Sequence, residues 1–239
     1  MSSVDVIVLT ITQALSSEQQ SISILNRGYN KPRYKYGLIL SPRMKHSLLQ
    51  DLIITDPDNS YITLCLAPKT DDNSPSISSN IDASTLTSKL IEQYPIGTLS
   101  FENINLINGL QVHDKLEELK SDNNLEFRVL GTIGLKKYNN KLDEFEVTAF
   151  TSFYPKVAKL LMSVTDSFAK NNLKANYLWV DVIVQHDLVE YYQQYGYVFI
   201  KEIECKIDKN TNHVIGSNEL ETGVMATNDF KLALLNKRL

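Results

Sequence analysis

Cysteine is nearly missing from this chain: Cys65 and Cys205 are the only two in 239 residues, far apart and inside strand-like runs. That excludes a disulfide framework and a Cys-based zinc site, and leaves two buried free thiols as the expectation. An excess of basic residues is missing too. With 24 Lys and Arg against 28 Asp and Glu, the formal charge is −4. Broad nucleic-acid binding needs cationic surface to release phosphate counterions, so nucleic acid is not expected as a partner. No apolar run approaches the roughly 20 residues that span a bilayer, and no charged-then-apolar leader opens the chain. The expectation is a soluble cytoplasmic protein with no membrane partner, the nucleus being left open. His46, His113, His186 and His213 are scattered without metal-ligand spacing, so no metal site is expected.

What is present is an ordinary globular composition, 43% hydrophobic and 22% charged, long enough to bury a real core. Residues 4–11 (VDVIVLTI) are β-branched and read as a strand. Residues 17–26 read as a helix, followed by a loop, RGYNKPRYKYG, that holds Pro32. SPRMKHSLLQDLI suggests a second short helix with Pro42 near its start, and SYITLCLAP another strand. The polar, Ser-rich stretch from 69 to about 84 reads as a mobile loop, and weak helical patterns follow at 85–94 and 111–119. Residues 69–125 therefore read as an insertion within a single domain spanning 1–239.

Runs at 127–136 and 142–150 flank Asn139–Asn140 as a hairpin would. YPKVAKLLMSVTDSFAKNN gives the clearest helix, with Pro155 suited to its first turn and Val157, Leu160, Leu161, Val164 and Phe168 at helical spacing. ANYLWVDVIV is apolar almost throughout, as in a strand covered on both faces. HDLVEYYQQYG suggests a helix capped by Asp187, with Glu190 three residues on and Gly196 at its end. YVFIKEIECKI and DFKLALLNKRL supply two closing strands. The order β–β–α–β–α–β–β in the C-terminal half predicts an α/β fold with a partly antiparallel mixed sheet flanked by helices.

These segments resemble the Gcn5-related N-acetyltransferases, the GNAT family. VLGTIGL (129–135) looks like the family's third strand, which the long insertion precedes here, and FEVTAF (145–150) like its fourth. YPKVAKLLMS looks like the helix after the acetyl-CoA loop, and HDLVEYYQQYGYV like the closing helix-turn-strand motif. One departure lies in the pyrophosphate loop, Arg/Gln-x-x-Gly-x-Gly/Ala in the family. Its positions fall on Phe153, Tyr154, Pro155, Lys156, Val157 and Ala158, of which Ala158 alone fits. Glycines there let bare backbone N–H groups approach phosphate, while a helix N-terminus adds favourable dipole. Lys156 or Lys159 would supply compensating charge.

The resemblance implies acetyl-CoA as co-substrate, in a cleft where the fourth and fifth strands splay. The backbone of Thr148, Ala149 and Phe150 would pair with the pantetheine arm, and the acetyl group would pass directly to a small-molecule or peptide amine. Tyr192 falls where the family's proton donor to the departing thiolate stands; read without the family, it is helix packing beside Tyr191 and Tyr195. Glu146 is the candidate base, on the same strand face as Thr148 and Phe150, or else an ordinary exposed carboxylate. Asp181 on the next strand would orient substrate or cofactor, or simply end a buried strand near water. Tyr34 and Tyr36, beside Arg33 and Lys35, would shape an amine pocket or merely anchor a loop. His186 reads as a surface or capping-region residue. Two rival readings stand beside the enzyme: a catalytically inactive module that binds CoA or a protein, and a binding domain whose cleft Phe153 and Tyr154 fill. A homodimer is allowed by all three.

Overall fold

A computed structural model describes residues 1–69, 82–122, 125–215, 220 and 223–239. In chain order its elements are β1 (Ser2–Thr10), α1 (Ile11–Ala14), α2 (Glu18–Tyr36), α3 (Leu48–Asp51), β2 (Tyr61–Leu66), α4 (Ala83–Gln93), β3 (Leu99–Ile107) and α5 (Val112–Ser121). Then follow α6 (Leu125–Arg128), β4 (Val129–Lys137), β5 (Glu144–Ser152), α7 (Val157–Asn171), β6 (Tyr177–Ile183), α8 (Val189–Gln193), β7 (Val198–Ile207), β8 (Val214–Ile215) and β9 (Phe230–Arg238). The strands form one mixed sheet in the order β3-β1-β2-β4-β5-β6-β9-β7-β8. The pairs β1–β3 and β5–β6 are parallel and the rest antiparallel.

Helices cover both faces of the sheet, and two glycines set how close they come. A Cβ on Gly131 of β4 would lie 2.8 Å from Val157 Cγ1 of α7, and one on Gly28 of α2 would lie 2.3 Å from Thr151 Cγ2 of β5. Thr151 is the partner of Thr132, the residue after Gly131. Successive strand residues point to opposite faces, so α7 and α2 lie on opposite sides of the sheet. The hairpin between β4 and β5 turns at Asn139 and Asn140, both at positive φ (49° and 57°), with Lys141 N–H donating to Tyr138 O at 3.0 Å. That is the left-handed pair a tight two-residue turn requires, and asparagine tolerates it.

Several expectations need correction. The first long helix does not stop at residue 26: α2 continues through Pro32 to Tyr36 and ends at Gly37, whose φ is 62°. Pro32 removes one helical bond, to the carbonyl four residues back, and the remaining turns hold. The segment after it forms only α3, a single turn capped by Ser47, with Pro42 outside it. The helices expected within 69–125 are present as α4 and α5, but a strand was missed between them. β3 pairs with β1 at the sheet edge, so this region extends the sheet. Most of the polar stretch before α4, residues 70–81, lies outside the described residues.

Further on, α7 begins at Val157, after Pro155, with Lys156 as its N-cap at φ 71°. β6 alternates buried and half-buried residues, one face being covered and the other turned to a cavity. Asp187 does not cap α8: it sits in the left-handed region (φ 56°), and α8 has no side-chain cap. Cys65 and Cys205 are buried free thiols.

Candidate functional site

β5 and β6 run side by side for only three pairs, Glu144–Tyr177, Phe145–Leu178 and Glu146–Trp179. Beyond them the ladder stops, although β5 continues to Ser152 and β6 to Ile183. On its other edge β5 stays paired to β4, with a bulge: Gly134 faces Thr148 and Thr132 faces Thr151, so β5 carries one extra residue there. Ala149 takes up the strain at φ 49°, fully buried, its carbonyl accepting a 2.6 Å bond from Thr132 Oγ1. A left-handed non-glycine residue costs of order 1–3 kcal/mol unless its surroundings fix it. The extra residue also switches phase. Before it, Glu146 and Thr148 face α2; after it, Thr151 does.

The opening forms one side of a cavity of about 510 Å³ on the α2 face. Tyr36, Glu146, Thr148, Phe150, Asp181 and Tyr192 all line it. Tyr192 is buried and lies edge-on to Phe150 and Tyr197, with centroids 6.3 and 5.4 Å apart. Burial, helped by the neighbouring Tyr29, Tyr197 and Tyr191, pushes its hydroxyl well above the ordinary phenol range. Tyr191 is pushed up by burial too, then by its hydrogen bond with Tyr195.

Glu146 Oε1 is 3.2 Å from Lys136 Nζ, which also donates to Leu52 O at 2.9 Å. At the closed end of the ladder, Trp179 Nε1 donates to Glu144 Oε2 at 2.6 Å and its ring stacks on Tyr138 at 4.6 Å. Burial raises the Tyr138 hydroxyl, and the charge of Asp181 adds to this.

The far end is closed by α2. Tyr36 stacks on His186 at 4.7 Å, receives a 2.6 Å bond from Lys35 Nζ, and its hydroxyl donates to Asp187 Oδ2 at 3.2 Å. His186, expected as a surface or capping-region residue, is not at the surface: it is 7% exposed and lines the cavity. Burial lowers its proton affinity, with Asp187 opposing and Lys35 assisting. No sequence signal marked it. Lys136 was missed as well, although an ammonium at the end of the apolar run VLGTIGLK was a visible one.

The remaining residues lie elsewhere. Tyr34 is 69% exposed on α2 under Arg33, outside the cavity lining. Phe153 is buried where α2 crosses, its ring 3.4 Å from the Cβ position of Gly28. Tyr154 is buried and donates to Tyr94 O at 2.7 Å. Neither residue is among those that line the cavity. Val157 is buried, while Lys156 and Lys159 are exposed around the first turn of α7, with Ala158 between them. That turn has no side-chain cap.

Fold and site together define a class: a mixed α/β protein whose sheet opens between two parallel strands onto a tyrosine-lined cavity. The family model described as sporulation protein RMD6 matches residues 1–239, and the chain belongs to that family. Sporulation protein RMD6 of Saccharomyces cerevisiae (strain ATCC 204508 / S288c) is 27% identical over 236 residues, spanning 90% of this chain and 85% of that protein. Among solved structures, an acetyltransferase of the GNAT family from Staphylococcus aureus Mu50 is similar over 99% of both chains, at 10% identity and TM-score 0.45. A Bacillus subtilis acetyltransferase in complex with CoA matches 47% of this chain and 70% of its own, at 19% and 0.32. The Campylobacter jejuni N-acetyltransferase PseH with acetyl coenzyme A matches 53% and 76%, at 15% and 0.31. These structural likenesses are weak and concern the fold alone. Among the described residues no helix is long and apolar enough to cross a membrane.

Proposed function

We propose that this chain is a single-domain, acetyl-CoA-dependent N-acetyltransferase that moves the acetyl group directly to a primary amine. The observation that carries the proposal is the early end of the β5–β6 ladder above Glu146, opening onto a cavity with Tyr192 in its wall. Past that point the outer backbone edge of β5, from Val147 to Ser152, has no strand paired to it among the described residues. An extended amide-bearing arm such as pantetheine can add there as a strand would, with the Ala149 bulge turning the edge toward the cavity. The phosphates then go to the first turn of α7, with Lys156 and Lys159.

In transfer, the amine nitrogen attacks the thioester carbonyl, a C–N bond forms, the C–S bond breaks, and the thiolate must be protonated. Tyr192 holds the proton for it. A substrate ammonium must lose a proton first, and the Glu146 carboxylate receives it directly or through water. Asp181 faces the same space and orients the amine.

Calorimetry with acetyl-CoA tests the binding half: no heat at millimolar cofactor sinks it. Tyr192→Phe tests the chemistry, with kcat expected to fall about 10²-fold, the lower end of acid–base contributions, at nearly unchanged acetyl-CoA affinity. Unchanged turnover removes Tyr192 as the acid. A second reading, a module that binds CoA or a protein without catalysis, is favoured by the glycine-free start of α7 and the core roles of Phe153 and Tyr154. It predicts binding with no thiol release from any amine.

A further inference from the structure

The two long walls of the cavity carry opposite charge. From α2 and the segment after it come Lys31, Arg33, Lys35 and Arg43; from β5 and β6 come Glu146 and Asp181. Lys136 lines the cavity as well and pairs with Glu146 and Leu52 O, so two carboxylates against one ammonium leave the β5–β6 wall at a net −1. The chain as a whole is −4, so four cations on one wall run against its average. Among the described residues Lys31 and Arg33 have no carboxylate partner; Arg33 Nη1 donates to Asn30 Oδ1 at 3.2 Å, and its guanidinium lies 5.6 Å over the Tyr34 ring. Low-dielectric walls focus such a field on whatever enters.

A second, independent observation lies at the same end. His186 is more than nine-tenths buried and stacked on Tyr36, yet its Nε2 has no hydrogen-bond partner among the described residues. A buried polar atom in a cavity wall is costly unless something in the cavity meets it. The neighbouring hydroxyl of Tyr36 is already engaged by Lys35 and Asp187, which leaves the imidazole nitrogen as the uncommitted group.

Resting on the transferase reading above, we infer that the acceptor is an amine carrying a second, anionic group, a carboxylate or a phosphate. The ammonium lies toward Glu146 and Asp181, and the anion toward Arg33 and Arg43. His186 Nε2, in its N–H tautomer, donates to the same anion. Purely cationic amines such as polyamines are disfavoured, because their far end meets the α2 wall. The two carboxylates also fix direction: an amine bound the other way would set its ammonium against four cations.

The test uses the full chain and two matched pairs, L-leucine against L-leucinamide and O-phosphoethanolamine against ethanolamine, with spermidine as the fifth probe. Binding is read by thermal shift and calorimetry without cofactor, and CoA release by a thiol reagent with acetyl-CoA present. At least one anionic member is expected to bind about tenfold or more tightly than its neutral partner, the size of one charged hydrogen bond. The better pair tells carboxylate from phosphate. Arg33→Gln is expected to remove most of that preference while leaving the neutral partner's affinity unchanged.

Equal binding within both pairs, tighter binding of spermidine, no binding by any probe at millimolar concentration, or a preference that survives Arg33→Gln overturns the inference. The outcomes separate from those of the transferase reading. A preserved preference with no acetyl-CoA binding keeps the charge assignment and removes the transfer; acetyl-CoA binding with no preference does the reverse.

Discussion

Replacing Lys136 by methionine keeps much of the side chain's volume and removes its ammonium. That ammonium sits 3.2 Å from Glu146 Oε1 and 2.9 Å from Leu52 O, on a side chain only 10% exposed. Removing one partner of a fully buried ion pair costs about 3–5 kcal/mol. Glu146 is 20% exposed and faces a cavity that water can enter, so we take about 2–3 kcal/mol for the stranded carboxylate. The Leu52 carbonyl loses its donor, adding about 1 kcal/mol. The sum, about 3–4 kcal/mol, corresponds to a fall in Tm of roughly 6–16 °C for a chain of this size.

Glu146→Gln keeps an oxygen acceptor for Lys136 and should cost about 1–2 kcal/mol. In the double variant neither charge is stranded, so the two losses should fail to add by about 1–3 kcal/mol. Thermal and urea unfolding of the four proteins closes the cycle. A Lys136→Met loss under about 0.5 kcal/mol, or strict additivity, refutes the reasoning: the pair would then be solvated, and Glu146 would be no more committed than a surface carboxylate.

Gly131→Ala should destabilise by about 1–3 kcal/mol, because the added methyl meets Thr151 O at 2.7 Å and Val157 Cγ1 at 2.8 Å; an unshifted melting curve refutes this. Asp51 is buried; burial raises its carboxyl, but bonds from the backbone N–H groups of His46 and Lys45 and from the His46 ring outweigh it, so the folded value is lowered. Its contribution is therefore present above the unfolded value of about 3.9 and is lost as pH falls through the lower folded value. Asp51→Asn should destabilise most near neutrality and flatten the acid limb of stability against pH; an equal loss at pH 3 and pH 7 refutes it. The thiol of Cys65 is pushed up to about 12 by burial and then by Asp5, so it should resist iodoacetamide at pH 8 until the chain unfolds. Fast labelling of the native protein would contradict its burial.

Most of the sheet was legible because its strands announce themselves locally. VDVIVLTI, YITLCL, VLGTIGL and FEVTAF are β-branched and apolar, and α7 carries its apolar residues at helical spacing. β3 escaped because FENINLI is an edge strand whose middle is half-buried or exposed, so it lacks an apolar face to betray it. α2 was cut short at a loop-like run of Tyr, Lys and Pro, yet its last turns close over the sheet and are held from outside by the Tyr36–His186 stack. Asp187 looked like a cap because its type and spacing suit one, while its backbone was already committed to a left-handed turn.

The candidate site divides in the same way. Its tyrosine motif was visible only through the family resemblance, whereas Glu146 and Asp181 could be placed by residue type and by strand alternation. The cavity itself could not. It depends on a ladder that stops after three pairs, a bulge at Ala149 and an α2 brought close by Gly28, none of which is a property of any one segment. The sequence by itself determined most of the elements and their order, and set a tyrosine at the closing helix. Only the tertiary structure decided that His186 is buried, that Phe153 and Tyr154 are not among the residues lining the cavity, and that cations face carboxylates across it. Those are long-range outcomes: they arise where segments tens of residues apart meet, and local periodicity holds no record of such meetings.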